Sequence, residues 1–136
     1  MSGKIEAGFW VSVERLLPDN IYAESMSNIW KSGTPDRYYE GSGKKPILFV
    51  EWKAFRKPPV KLDLVGEKIL SAKQYLWLKR AHSNKVPVAV MVGFTESRTG
   101  LIFPGLECIH VLSREQCIKE AFPKEVLAKW IAERVM

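Results

Sequence analysis

Two carboxylates and a lysine stand close together in residues 33–53, GTPDRYYEGSGKKPILFVEWK. Asp36 follows a proline, and Glu51 and Lys53 flank a tryptophan at the end of an apolar run. In an extended chain successive side chains alternate between faces, so Glu51 and Lys53 share a face, with the Trp52 carbonyl between them. Phosphodiester hydrolysis calls for such a set. A hard divalent cation, Mg²⁺ or Mn²⁺, takes one or two carboxylates and completes its shell with waters and substrate oxygens. Asp36, Glu51 and the Trp52 carbonyl are the candidate ligands. Lys53 is the candidate for orienting a water or stabilising the charge that develops on the phosphate.

For that chemistry Asp36 and Glu51 must sit on adjacent strands. Residues 34–40 read as one strand, with Tyr38 and Tyr39 supplying β propensity. Gly41-Ser42-Gly43 is a hairpin turn signal, and Pro46 precedes a second strand over residues 47–54. On that strand Leu48, Val50, Trp52 and Ala54 share one side, and Ile47, Phe49, Glu51 and Lys53 the other. Both sides begin apolar, which predicts a central strand covered by helices.

Around this pair, residues 6–17 carry a helical apolar stripe (Trp10, Val13, Leu17) closed by Pro18, and residues 21–25 form a short strand. Residues 56–68 are a basic, proline-containing loop. Ser71 and Gln74 match a capping box that opens a helix to about residue 82 or 83. Residues 86–94 (VPVAVMVGF) are a continuous apolar run of strand length. A strand, a helix and a buried strand in that order predict a crossover and a parallel pairing. Strands over 99–103 and 107–112 follow, then a helix capped by Ser113 and a last amphipathic helix after Pro123. The expected architecture is α/β in a single domain: an αβββαβ core over about 6–94 and a ββαα extension over about 99–136.

With 136 residues, the chain is long enough for one compact domain. No apolar run approaches membrane-spanning length, and the N-terminus lacks an apolar signal core, so the expected compartment is the cytoplasm. Cys108 and Cys117 are not a zinc pair, having neither CxxC spacing nor a nearby histidine; buried thiols are expected. His82 reads as a partner for a helix C-terminus and His110 as structural. No Gly-rich nucleotide loop and no Ser-His-Asp set is visible. The net charge of +6 is unevenly spread. Residues 44–85 carry eleven Lys or Arg against three acids, a balance of +8 that leaves the remainder near −2. Such a segment suits a polyanion, most simply DNA. Candidate contacts are Arg56, Lys57 and Lys61 in the loop after the catalytic strand, Lys73 and Arg80 on the helix, and Lys31 and Arg37 flanking the centre.

The longer pattern, GTPD, then apolar-apolar-Glu51-Trp52-Lys53, then Leu70-Ser71-x-x-Gln74-x-x-Trp77-Leu78, then a valine-rich strand, resembles the PD-(D/E)XK nuclease superfamily. Within it the chain resembles the VRR-NUC nucleases, including small phage-borne members, and more distantly the archaeal-type Holliday junction resolvases. The resemblance spans residues 9–94 and leaves the tail after Gly100 uncovered. It implies a restriction-endonuclease-like core with a mixed sheet, metal ligation by Asp36 and Glu51, and catalytic roles for Lys53 and Gln74. It also implies a further acid, for which Glu24 is the first candidate and Glu14 the second. The implied activity is metal-dependent cleavage of branched DNA in recombination, repair or phage DNA processing, by a homodimer whose interface the C-terminal helices with Trp130 and Ile131 would supply. A DNA-binding module without catalysis and a nuclease acting on linear duplex are the alternatives on the same fold.

Overall fold

The computed structural model describes residues 4–26, 33–106 and 111–136. Lys31, Cys108, His110 and most of the expected strand over 107–112 lie outside them. The elements are α1 (Lys4–Glu14), β1 (Tyr22–Ser25), β2 (Arg37–Glu40), β3 (Leu48–Phe55), β4 (Lys61–Leu62), α2 (Ala72–Ser83), β5 (Val88–Phe94), β6 (Thr99–Pro104), β7 (Leu112–Ser113), α3 (Arg114–Glu120), β8 (Phe122–Pro123) and α4 (Lys124–Val135). Six strands form one sheet in the order β1-β2-β3-β5-β6-β8, and β4 pairs with β7 separately. β3 and β5 are parallel and every other pairing in the large sheet is antiparallel. The α2 crossover between β3 and β5 requires that parallel step.

Alternation on β3 divides the core in two. Leu48, Val50 and Trp52 join Phe9, Trp10 and Val13 of α1 and Leu127, Ala128, Ile131 and Val135 of α4 on one face. Phe49 and Phe55 face the other side, towards Leu78 and Ala81 of α2 and Cys117 of α3. β5 is buried along its whole length, as its unbroken apolar run requires. Gly93 on β5 admits the Phe9 ring so closely that a Cβ there would lie 2.4 Å from it. α1 can therefore pack tightly against the sheet opposite the carboxylates.

Ile131 is fully buried in this core and Trp130 packs against it, with Arg134 stacked 4.3 Å from the Trp130 ring. The apolar stripe of the last helix thus covers the chain's own sheet. Ile131 is therefore not available for the expected dimer interface, whereas Trp130 remains partly exposed.

α2 begins with the expected capping box. The Ser71 hydroxyl accepts from the Gln74 amide N–H at 3.1 Å, and the Ser71 N–H donates to Gln74 Oε1 at 2.9 Å. Ser71→Ala removes one half of this exchange. We expect a loss of about 1 kcal/mol, seen as a melting temperature lower by about 3–5 °C. The Ser71 N–H continues to hold Gln74 in that variant, so an unchanged melting temperature would mean that the cap contributes nothing to α2.

Candidate metal centre

β2 and β3 bring the carboxylates together by register. Arg37 stands opposite Val50, which places Asp36, one residue earlier, beside Glu51 at the mouth of the β2–β3 pair. Asp36 Oδ2 accepts the Trp52 N–H at 2.9 Å, fixing its carboxylate to the strand that carries Glu51. Gly33 permits the approach of this segment: its φ is +87°, and a Cβ would lie 2.5 Å from the Lys73 carbonyl oxygen in the first turn of α2.

Glu51 is 2% exposed. Its Oε2 accepts from Gln74 Nε2 at 3.0 Å and lies 3.3 Å from Lys53 Nζ. Lys53 Nζ also donates to Gln74 Oε1 at 3.1 Å. Gln74 therefore serves both the helix cap and the centre. Its carbonyl oxygen takes two donors, Ser71 N–H and Lys53 Nζ, while its NH₂ faces the carboxylate, so the opposite amide orientation would lose all three contacts. The Glu51 carboxyl is pushed up to about 8, first by burial and then by the charge of Asp36, with Lys53 opposing both. Its Oε1 is buried and meets no donor among the described residues.

An acceptor left bare beside a second carboxylate calls for a proton or a cation between them. The donor set fits a hard cation: two carboxylate groups from adjacent strands, next to the Trp52 carbonyl, leaving positions for waters and substrate oxygens. Among the described residues no group of three or more His, Cys, Asp or Glu is placed to hold a metal ion. Glu24 lies on the same side of the sheet but takes hydrogen bonds from the hydroxyls of Tyr22 and Tyr38. Glu14, the second candidate, is bound at 2.6 and 2.8 Å by the Arg37 guanidinium and at 2.7 Å by the Tyr39 hydroxyl, on the side of α1.

Arg37 is a correction for the same reason. Placed one residue after Asp36, it falls on the opposite side of the sheet, pairs with Glu14, and stacks 5.7 Å from the Trp10 ring. It adds nothing to a phosphate-binding field around Glu51. The other basic candidates remain at the surface. Arg56 and Lys57 approach Glu96 only at 3.9 and 3.8 Å, Lys61 meets Glu67 at 3.0 Å, and Lys73 and Arg80 are exposed. Exposed pairs of this kind contribute about 0–1 kcal/mol and exchange readily for another anion. The loop carrying Arg56 and Lys57 is nonetheless fixed, since Arg114 binds the carbonyl of Pro58 at 2.8 Å through Nε and that of Val60 at 3.1 Å through its N–H. Together with Glu96 and Ile118 this loop rims a cavity of about 600 Å³ past the end of β3, separate from Asp36, Glu51 and Lys53.

Sequence reasoning did not identify Tyr39 as a support for the centre. Buried on β2, its hydroxyl accepts from Trp52 Nε1 at 3.0 Å and donates to Glu14. A run of bonded groups thus reaches from α1 through β2 to the residue between Glu51 and Lys53. The available signal was alternation, which puts Tyr39 and Trp52 on one face.

Fold and centre together define a restriction-endonuclease-like architecture: one α/β domain, a mixed central sheet flanked by helices, and a carboxylate pair where β2 and β3 meet. Among solved structures the chain is similar to Hjc of Archaeoglobus fulgidus, a Holliday junction resolvase from an archaeal hyperthermophile, with a TM-score of 0.55 and 13% identity over 95% of this chain and 99% of that one. At that identity the likeness is one of fold. It takes in most of the last third of the chain, which the sequence resemblance left uncovered. No protein-family profile matches the chain, and no curated protein matches it by sequence. Among the described residues no helix is long and apolar enough to cross a membrane.

Proposed function

We propose that the chain is a Mg²⁺- or Mn²⁺-dependent DNA endonuclease that hydrolyses phosphodiester bonds in branched DNA such as a Holliday junction. The observation that carries this reading is the buried Glu51 with its bare Oε1 beside Asp36 and its other oxygen held by Lys53 and Gln74. Asp36, Glu51 and the Trp52 carbonyl would hold the cation, which would polarise a phosphate and acidify a water. Lys53, 16% exposed and held by Gln74, keeps a positive charge fixed at the edge of the centre, where it can orient a nucleophile or meet charge on the phosphate. Gln74 acts as the positioning residue, setting Lys53 and Glu51 relative to each other. The exposed cations Arg56, Lys57, Lys61, Lys73 and Arg80 would follow the DNA backbone.

The preference for branched DNA rests on the fold shared with a Holliday junction resolvase. A homodimer would set two centres against two strands; its interface would lie away from the buried stripe of α4.

The test uses labelled linear, flapped, splayed and four-way DNA with Mg²⁺, Mn²⁺ or EDTA. Branched DNA should be cut with either metal and intact in EDTA. Asp36→Asn and Lys53→Ala should each cut at least ~100-fold more slowly. Cutting by either variant at the wild-type rate would refute the assigned centre. Binding without cutting under every condition would favour a binding module, and equal cutting of plain linear duplex a general nuclease.

A further inference from the structure

Four aromatic side chains that the fold leaves partly open form one row beside the metal centre. Tyr22 on β1, Tyr38 on β2, Phe49 on β3 and Trp77 on α2 follow one another with ring centroids 6.1, 6.3 and 5.5 Å apart. Arg80 closes the row, its guanidinium 5.2 Å from the Trp77 ring. Strand register fixes its place. Tyr38 stands opposite Phe49; Asp36 lies two residues before Tyr38, and Glu51 two residues after Phe49. The row and the carboxylates therefore occupy one face of the sheet, roughly 7 Å apart along the strands.

Packing alone does not account for the row. On the opposite face Phe9, Tyr39 and Trp52 are 2%, 0% and 1% exposed, as aromatic core residues are. In the row Tyr22 is 52% exposed, and Tyr38, Phe49 and Trp77 are only half-buried. The charges along it are also ordered. At the α2 end Lys73 and Arg80 are exposed cations that suit phosphates. At the β1 end the Tyr22 and Tyr38 hydroxyls are turned onto Glu24, whose charge repels phosphate and leaves the rings to an uncharged planar group.

A nucleotide strand matches that order, with its phosphates towards α2 and its bases over the tyrosines. Base stacking on an aromatic side chain is tolerant of sequence and strengthens binding by roughly 5- to 150-fold per base. Paired bases within a duplex keep their faces covered. We infer that this row is a stacking platform for unpaired nucleotides next to the scissile phosphate, so that the substrate is DNA carrying single-stranded nucleotides at or beside the cut. The word scissile rests on the nuclease reading above; the platform as a binding site does not.

The test is fluorescence anisotropy of the full chain in EDTA at one low salt concentration. Three probes of one duplex are compared: blunt, with a tail of three unpaired thymidines, and with a tail of three abasic deoxyribose phosphates of equal length and charge. The wild type should bind the thymidine tail at least ~10-fold more tightly than the abasic tail. Tyr22→Ser and Trp77→Leu should each lose most of that difference while binding the abasic and blunt probes as the wild type does. Tyr22 stands at the sheet edge, so Tyr22→Ser remains a folded test even where Trp77→Leu disturbs Phe49. Equal affinity of the wild type for both tails, or an equal loss by the variants on all three probes, overturns the platform; so does absence of binding to every probe. Base-dependent binding in a protein that cuts no DNA with Mg²⁺ or Mn²⁺ keeps the platform and refutes the nuclease. Cutting of branched DNA with no base dependence does the reverse.

Discussion

At pH 8.5, without divalent metal, Glu51→Gln should melt at a higher temperature than the wild type and should cut no DNA when metal is restored. The reason is the cost of holding a charge at Glu51. Its carboxyl is 2% exposed and its folded-state pKa is pushed up to about 8 from an ordinary value of 4.5, chiefly by burial and then by Asp36. Below pH 4.5 the group is protonated in both the folded and unfolded chains, and it imposes no penalty. Between 4.5 and about 8 the folded chain keeps a proton that the unfolded chain has released, so stability falls as pH rises. Above about 8 the loss is complete, on the order of 3–5 kcal/mol. A glutamine reproduces the protonated state at every pH. Its oxygen accepts from Gln74 and Lys53, and its NH₂ can donate towards Asp36. The difference in melting temperature between variant and wild type should therefore be near zero at pH 4.5 and grow to its plateau above pH 8. On the proposed reading Mg²⁺ or Mn²⁺ would supply the missing counter-charge and should stabilise the wild type at pH 8.5 much more than the variant. Thermal melts across pH, with and without metal, check all three statements. A variant less stable than the wild type at every pH, or stabilised equally by metal, would remove Glu51 from the centre.

The parts of this centre that the sequence displays are those fixed by local rules. Alternation along residues 47–54 separates Glu51 and Lys53 from Trp52, and the pairing of β3 confirms both faces. The Ser71-x-x-Gln74 spacing marks the start of α2, and a helix between two apolar strands requires the parallel β3–β5 pair. Placement of the accessory groups needs contacts between distant segments, which no local spacing encodes. Glu14 and Arg37 are 23 residues apart and find each other because α1, packed on β3, ends within side-chain reach of β2. That Arg37 leaves the centre follows from the rule that places Glu51 there: neighbours on a strand face opposite ways. β8, two residues that include Pro123, and β4, two residues that pair with β7, are too short to show a period. Ile131 reads in sequence as part of an apolar stripe free to form an interface, because the core it joins, with Val13 and Trp52 in it, is built from segments far back in the chain.

Trp52→Ala should be the most damaging substitution in the core and should abolish activity without touching a ligand side chain. Trp52 is 1% exposed, its ring lies 6.0 Å from that of Phe9, and its Nε1 donates to the Tyr39 hydroxyl at 3.0 Å. Truncating a buried tryptophan costs about 3–5 kcal/mol through lost contact and the cavity left behind, against a total stability of roughly 5–15 kcal/mol for a typical domain. Trp52→Phe separates packing from hydrogen bonding. It keeps most of the ring volume but leaves the Tyr39 oxygen without a donor inside the core, and should cost about 1–3 kcal/mol. Adding Tyr39→Phe to Trp52→Phe should then cost less than it does in the wild type, since the two hydroxyl and indole partners are already parted. Urea unfolding of the four proteins measures this coupling; additivity would show that the bond contributes nothing. Cleavage by Trp52→Phe, assayed well below its melting temperature, should stay within a few-fold of the wild type, because its backbone N–H still holds Asp36 and its carbonyl still lies between Glu51 and Lys53. Glu51 and Lys53 lie on the α2 side of this strand with Asp36 beside them, and their spacing is maintained from behind, by a tryptophan whose side chain points to the opposite face.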